Sequence, residues 1–129
     1  MYEMKEEYKT GIEAIDEQHK KLFDIADRAY MLLKDEYTID KYDKIVTIIK
    51  ELKDYTAYHF KFEEEYMDSI GYKRMFTQKI EHAEFIKKLD EIDFDKIDKD
   101  QDKYILSILQ YLNDWLVEHI YEKDKLIGK

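Results

Sequence analysis

Cysteine and proline are absent from this chain, and glycine occurs only three times, at Gly11, Gly71 and Gly128. Without cysteine there are no disulfides and no thiolate metal ligands. Without proline, and with so few glycines, little interrupts the backbone, which favours long helices over many short strands. Long apolar runs are missing too: no stretch reaches the ~18 consecutive apolar residues of a membrane span. Positive charge is in deficit. Acidic residues number 31 against 22 basic ones, a net charge of −9 that argues against nucleic acid or an anionic membrane as partner. Met1–Tyr8 is acidic and lacks the positive and apolar regions of a secretory signal, so a soluble cytoplasmic protein is the expectation.

What is present suits helices with one buried stripe and a solvated outer face. The 129 residues make room for one compact domain, 1–129, and 44% apolar with 41% charged residues fits that amphipathic design. Four segments carry apolar residues at helical spacing. The first, about 17–35, aligns Leu22, Ile25, Ala26, Ala29, Leu32 and Leu33, with Asp16 ahead of it as N-cap. The second, about 41–69, aligns Ile45, Ile48, Ile49, Leu52, Tyr55, Thr56, His59, Glu63 and Met67; Asp40 would cap it and Gly71 would stop it. The third, about 74–92, places Met75, Gln78, His82, Phe85, Ile86 and Leu89 together. The fourth, about 102–123, aligns Ile105, Ile108, Leu109, Leu112, Trp115, Leu116 and His119. Residues 93–102 read as an irregular connection. Four such helices with short connections predict an all-α, up-down-up-down antiparallel four-helix bundle. Residues 1–15 lack a helical period and read as an extended N-terminal arm over it.

The informative residues are polar ones that interrupt the stripes. The four histidines, His19, His59, His82 and His119, fall one to each predicted helix. His59 lies seven residues after Leu52, His119 seven after Leu112 and His82 seven after Met75, while His19 precedes Leu22 by three. All four therefore face inward. Glu63 stands four residues beyond His59, on the same face, and Gln78 stands four before His82. Asp124 follows His119 by five, where the chain could turn it inward. For any one histidine, a hydrogen-bonded core residue is the commoner outcome. Four imidazoles, a carboxylate and an amide buried together without partners would cost several kcal/mol in total. A metal centre supplies partners for all of them. Imidazole and carboxylate without sulfur suit iron, manganese or zinc, and so many ligands suit two ions better than one.

Spacing removes two alternatives. The ferritin-like pattern Glu-x-x-His is missing, since the residues three before the histidines are Asp16, Thr56, Lys79 and Leu116. No His-Glu-x-x-His occurs, so the zinc-protease pattern is missing as well.

These pieces closely resemble the hemerythrin family. The stretches that carry the likeness are Gly11–Phe23 around His19, His59–Met67 with His59 and Glu63, Gly71 with Tyr72, His82 with Phe85, and Trp115–Ile120 with His119 and Asp124. They span nearly the whole chain in the family's order. Myohemerythrin is itself a familiar up-down-up-down bundle, so likeness and periodicity lead to one architecture. The resemblance implies two iron ions in an oxo- or hydroxo-bridged di-iron centre. His19 and His59 would hold the ion at which dioxygen lands, His82 and His119 the other, and Glu63 and Asp124 would bridge them. It also implies a binding protein for dioxygen (carriage, storage or sensing) rather than an enzyme. One position departs: where the family has a further histidine on the third helix, this chain has Gln78. The amide would either ligate through its oxygen or leave the place to water, being a weaker donor for iron than imidazole. That opening is the basis of an alternative, a di-iron oxidase or peroxidase; a bundle holding a single or different metal is another. Leu116, Val117, Ile120, Trp115 and Phe62 would flank the site and keep it apolar, Tyr8 would pack from the arm, and Glu64 and Glu65 read as solvated. Oligomeric state is left open, a monomer included.

Overall fold

In the computed structural model, residues 4–35, 42–92 and 101–127 are described. They form four long helices and no strand: α1 (Glu13–Lys34), α2 (Tyr42–Ser69), α3 (Met75–Asp90) and α4 (Gln101–His119). A 3-10 turn, Glu6–Tyr8, precedes α1, and α4 runs on into a π-helical turn, Ile120–Asp124, and a last turn, Lys125–Ile127.

Cross-helix contacts establish the direction of each helix. His19 of α1 meets Glu63 near the end of α2, while Ala29 and Leu33 cluster with Ile45 and Ile49 near its start. Lys53 of α2 pairs with Asp90 of α3, and Glu64 with His82. In turn His82 faces His119 of α4, and Lys88 lies over the ring of Tyr111. Each neighbour runs opposite to the last, which gives the expected antiparallel up-down-up-down bundle.

The predicted stripes form the core. Ala29, Leu33, Ile45, Ile49, Ile105 and Leu109 fill one end with aliphatic side chains. A larger cluster, including Leu22, Phe23, Leu52, Phe60, Phe85, Leu112, Leu116 and Ile120, fills the middle and the end that carries the histidines. Gly71 stops α2 as expected. At φ +64° it takes the left-handed conformation, and its N–H donates to the Asp68 carbonyl while that of Tyr72 donates to Met67. This is the paired-bond Schellman stop, in which only glycine is unstrained.

Two expectations about the N-terminus need correction. Glu13, Ala14 and Ile15, read as part of the arm, are the first turn of α1, and Ile15 is fully buried. Asp16 is not the N-cap. The helix starts three residues earlier, and the Asp16 carboxylate accepts hydrogen bonds from the Thr10 N–H and hydroxyl, both at 2.8 Å, and from the Gly11 N–H. It thus pins the incoming chain, which turns at Gly11 with φ +89°. A carboxylate in the first turn faces outward N–H groups whether they belong to the helix or to the segment before it, and sequence alone does not separate the two. Tyr8 is buried and stacks on Phe23 with ring centroids 5.9 Å apart, as packing required. Asp40 and the connection at 93–100 lie outside the described residues.

Candidate metal centre

All seven singled-out polar residues are buried on the bundle axis: His19, His59, Glu63, Gln78, His82, His119 and Asp124 are each no more than 4% exposed. On α2, the four-residue step from His59 to Glu63 keeps both on one face, and their Nε2 and Oε1 atoms are in direct contact. On α3 the same step joins Gln78 to His82. Asp124 reaches the site by a different device. Five residues along a regular α-helix turn a side chain ~140° away from its start. The π-helical turn at Ile120–Asp124 widens the spiral so that positions five apart come into line, and it restores Asp124 to the face of His119.

Six donors converge in two overlapping groups. One consists of His19, His59, Glu63 and Asp124, the other of Glu63, His82, His119 and Asp124, with one ligand atom from each member within 4.8 Å of the rest. His19 Nε2 lies 3.4 Å from Glu63 Oε1 and 3.0 Å from Asp124 Oδ2, and His119 Nε2 lies 3.2 Å from Asp124 Oδ1. The Nε2 atoms of His82 and His119 face each other at 3.2 Å.

The outer nitrogens explain that orientation. His59 Nδ1–H donates to the Gln18 amide oxygen at 2.7 Å and His82 Nδ1–H to Glu64 at 2.9 Å. His119 Nδ1 faces Glu81 Oε2 at 3.1 Å, within ion-pair distance though not aligned as a hydrogen bond. Amide and carboxylate oxygens only accept, so the ring hydrogens sit on Nδ1 and lone pairs point inward on Nε2. Lone pairs of two imidazoles facing at hydrogen-bond distance repel unless a cation stands between them. Glu63 Oε2 and Gln78 Oε1 are buried with no hydrogen-bond partner among the described residues, and Asp124 Oδ2 is buried with only its ion-pair contact to His19. Unpartnered acceptors beside inward lone pairs, with no sulfur, fit metal ions of the iron, manganese or zinc kind.

Without metal, the two carboxylates favour the protonated form of two of the imidazoles, His19 and His119. Burial disfavours a charged His19, but its bonds to Asp124 and Glu63 outweigh burial and push its pKa up to about 9. At His119 the charge and bond of Asp124, with the charges of Glu63 and Glu81, outweigh burial and raise it, whereas burial wins at His82 and lowers it. Burial and mutual repulsion would raise the two carboxyls. The histidines beside them win, holding Glu63 below and Asp124 well below the ordinary range.

The chain matches the model of the Hemerythrin HHE cation binding domain over residues 10–129. It belongs to the hemerythrin family. Among similar hemerythrins, the bacteriohemerythrin of Clostridium acetobutylicum is 52% identical over 125 residues, covering 97% of each chain. That of Methylococcus capsulatus is 30% identical over 95% of this chain and 89% of its own. Myohemerythrin-1 of Phascolopsis gouldii is 30% identical over 99% of this chain and 93% of its own. As a hemerythrin the chain is a non-haem di-iron, oxygen-binding protein.

Gln78, which the resemblance set where the family has a further histidine, points inward with the other six. Its Nε2 donates to Asp124 Oδ1 at 3.2 Å, and its oxygen is one of the unpartnered acceptors. The expected apolar surround is largely there. Leu116 and Ile120 are buried, Trp115 stacks on His119 at 4.4 Å, and Phe60 stacks flat on His82 at 3.9 Å. Val117 is partly buried against this cluster; Phe62 is half-buried and outside it. Sequence reasoning missed Gln18 and Glu81, and it read Glu64, now found on His82, as part of a solvated face. Each sits next to a site residue in the chain and serves a histidine on another helix. Only the adjacency was visible beforehand.

Proposed function

We propose that this hemerythrin binds dioxygen reversibly in the cytoplasm, for carriage, storage or sensing, at two iron ions. His19 and His59 hold one ion, His82 and His119 hold the other, and Glu63 and Asp124 bridge them. The observation that carries this reading is that the two four-donor groups share those two carboxylates. When bound, a ferrous pair supplies the two electrons that dioxygen takes up and returns. The protein's part is to hold and shield. Outer acceptors turn Nε2 of His59 and His82 inward, and the Gln78 N–H fixes one oxygen of Asp124. Phe60, Leu116, Ile120 and Trp115 exclude the water that would displace a weakly held guest.

Iron content after anaerobic loading, followed by optical spectra under oxygen and after its removal, tests the proposal. Two ions per chain and a spectrum that reverses are expected. One ion, or a spectrum that does not reverse, sinks it. The second reading, an oxidase or peroxidase, is favoured by Gln78, whose amide stands where an imidazole would complete the second ion's ligands. On that reading the second ion is held more weakly and is more open than with histidine. Gln78→His then tightens iron binding and slows autoxidation; unchanged values of both exclude the idea.

A further inference from the structure

Three of the four imidazoles meet a side chain of the helix before them at Nδ1, two through a hydrogen bond and one at ion-pair distance, in a regular rotation around the bundle. Gln18, beside His19 on α1, accepts from His59 of α2; Glu64, beside Glu63 on α2, accepts from His82 of α3. Glu81, beside His82 on α3, faces His119 of α4, and Lys123 from the π-helical turn steadies the other Glu81 oxygen at 3.8 Å. The rotation stops at His19, whose Nδ1 is buried without a partner among the described residues, while Glu118, beside His119, is exposed.

The charges of these partners are unequal. At Nδ1, His59 meets a neutral amide and His19 meets no partner among the described residues, but His82 and His119 each meet a carboxylate. An acceptor on Nδ1 holds the ring and its tautomer, and raises the electron density at Nε2; an anion does this more strongly than an amide. Both anions serve the half of the centre in which Gln78 replaces an imidazole.

We propose that Glu64 and Glu81 are positioning residues that make His82 and His119 the stronger donors, offsetting within that half the weaker amide of Gln78. This rests on the di-iron reading above. Glu→Gln substitution tests it, because glutamine keeps the shape and the accepting oxygen and removes only the charge. Ferrous iron is titrated anaerobically into the metal-free full chain. In the Glu64→Gln/Glu81→Gln variant, one of the two binding steps weakens by roughly 10- to 100-fold, the usual reach of such outer partners. The other step stays as in the parent, and the reduction potential of the affected iron rises. Adding Gln78→His to that variant recovers the lost step. Gln18→Glu, which places an anion on His59, tightens the opposite step, and it gives an independent reading if the double variant does not fold. Parental affinities and potentials in these variants, or equal weakening of both steps, overturn the proposal while leaving the di-iron reading standing. A parent chain that takes up fewer than two ions overturns both.

Discussion

The two ends of the bundle are built on the same helical spacing and do different things with it. At one end, Ala29, Leu33, Ile45, Ile49, Ile105 and Leu109 close on one another as plain aliphatic packing. At the other end the same stripes carry His19, His59, Glu63, His82, Gln78 and His119, all buried. Aliphatic groups gain by burial alone. Buried imidazoles and carboxylates lose water and recover only what their partners return. The first end is thus complete in itself, whereas the second is complete only with cations, whether protons or metal ions. One end sets stability; the other sets chemistry and pays for it.

Three experiments break or sharpen that contrast. The largest effect is expected from Glu63→Ala, which removes a carboxylate from both donor groups at once. Ferrous affinity should fall by more than about 100-fold, beyond what outer partners alone supply, as read by iron retention on gel filtration. Retention of two ions would show that Glu63 does not bridge. Next comes Ile45→Ala at the opposite end, a residue 1% exposed. Loss of its buried methyl and methylene groups should cost about 2–5 kcal/mol in denaturant unfolding, with iron stoichiometry and spectrum unchanged. A changed spectrum would mean that the ends are coupled.

The smallest effect is a pH dependence confined to the metal-free protein. His19 has a folded pKa of about 9 against an ordinary 6.5, so folding favours its protonated form. That contribution is whole below pH 6.5 and is lost as pH rises through about 9. Asp124 and Glu63, both lowered, act in the opposite sense and lose their contribution as pH falls through the acid range. The melting temperature of the metal-free chain should therefore drop between pH 6.5 and 9. With iron bound, imidazole is already neutral and the drop disappears. Equal slopes for the two forms would mean that His19 does not change partner on loading.

How much of this was legible beforehand depended on whether partners lay along one helix. His59 with Glu63, and Gln78 with His82, could be paired from a four-residue step. Asp124 was legible as a candidate, but not its route, because a π-helical turn has no signature in five residues of ordinary helix-formers. Asp16 was placed just ahead of the helix and given the wrong donors; it lies in the first turn and serves the segment before it. Gln18, Glu64 and Glu81 act across helix boundaries, and nothing in the periodicity of one helix states the rotation of the next.

The amino-acid sequence by itself determined the four amphipathic rods, their inward histidines and the lack of any thiolate ligand. Local periodicity decides which side chains must leave water, and that is a property of each segment alone. Tertiary structure alone decided that six donors meet as two groups sharing Glu63 and Asp124, and that outer acceptors hold Nε2 inward. Those depend on the axial offset and rotation of packed helices, which arise from the interlocking of whole surfaces.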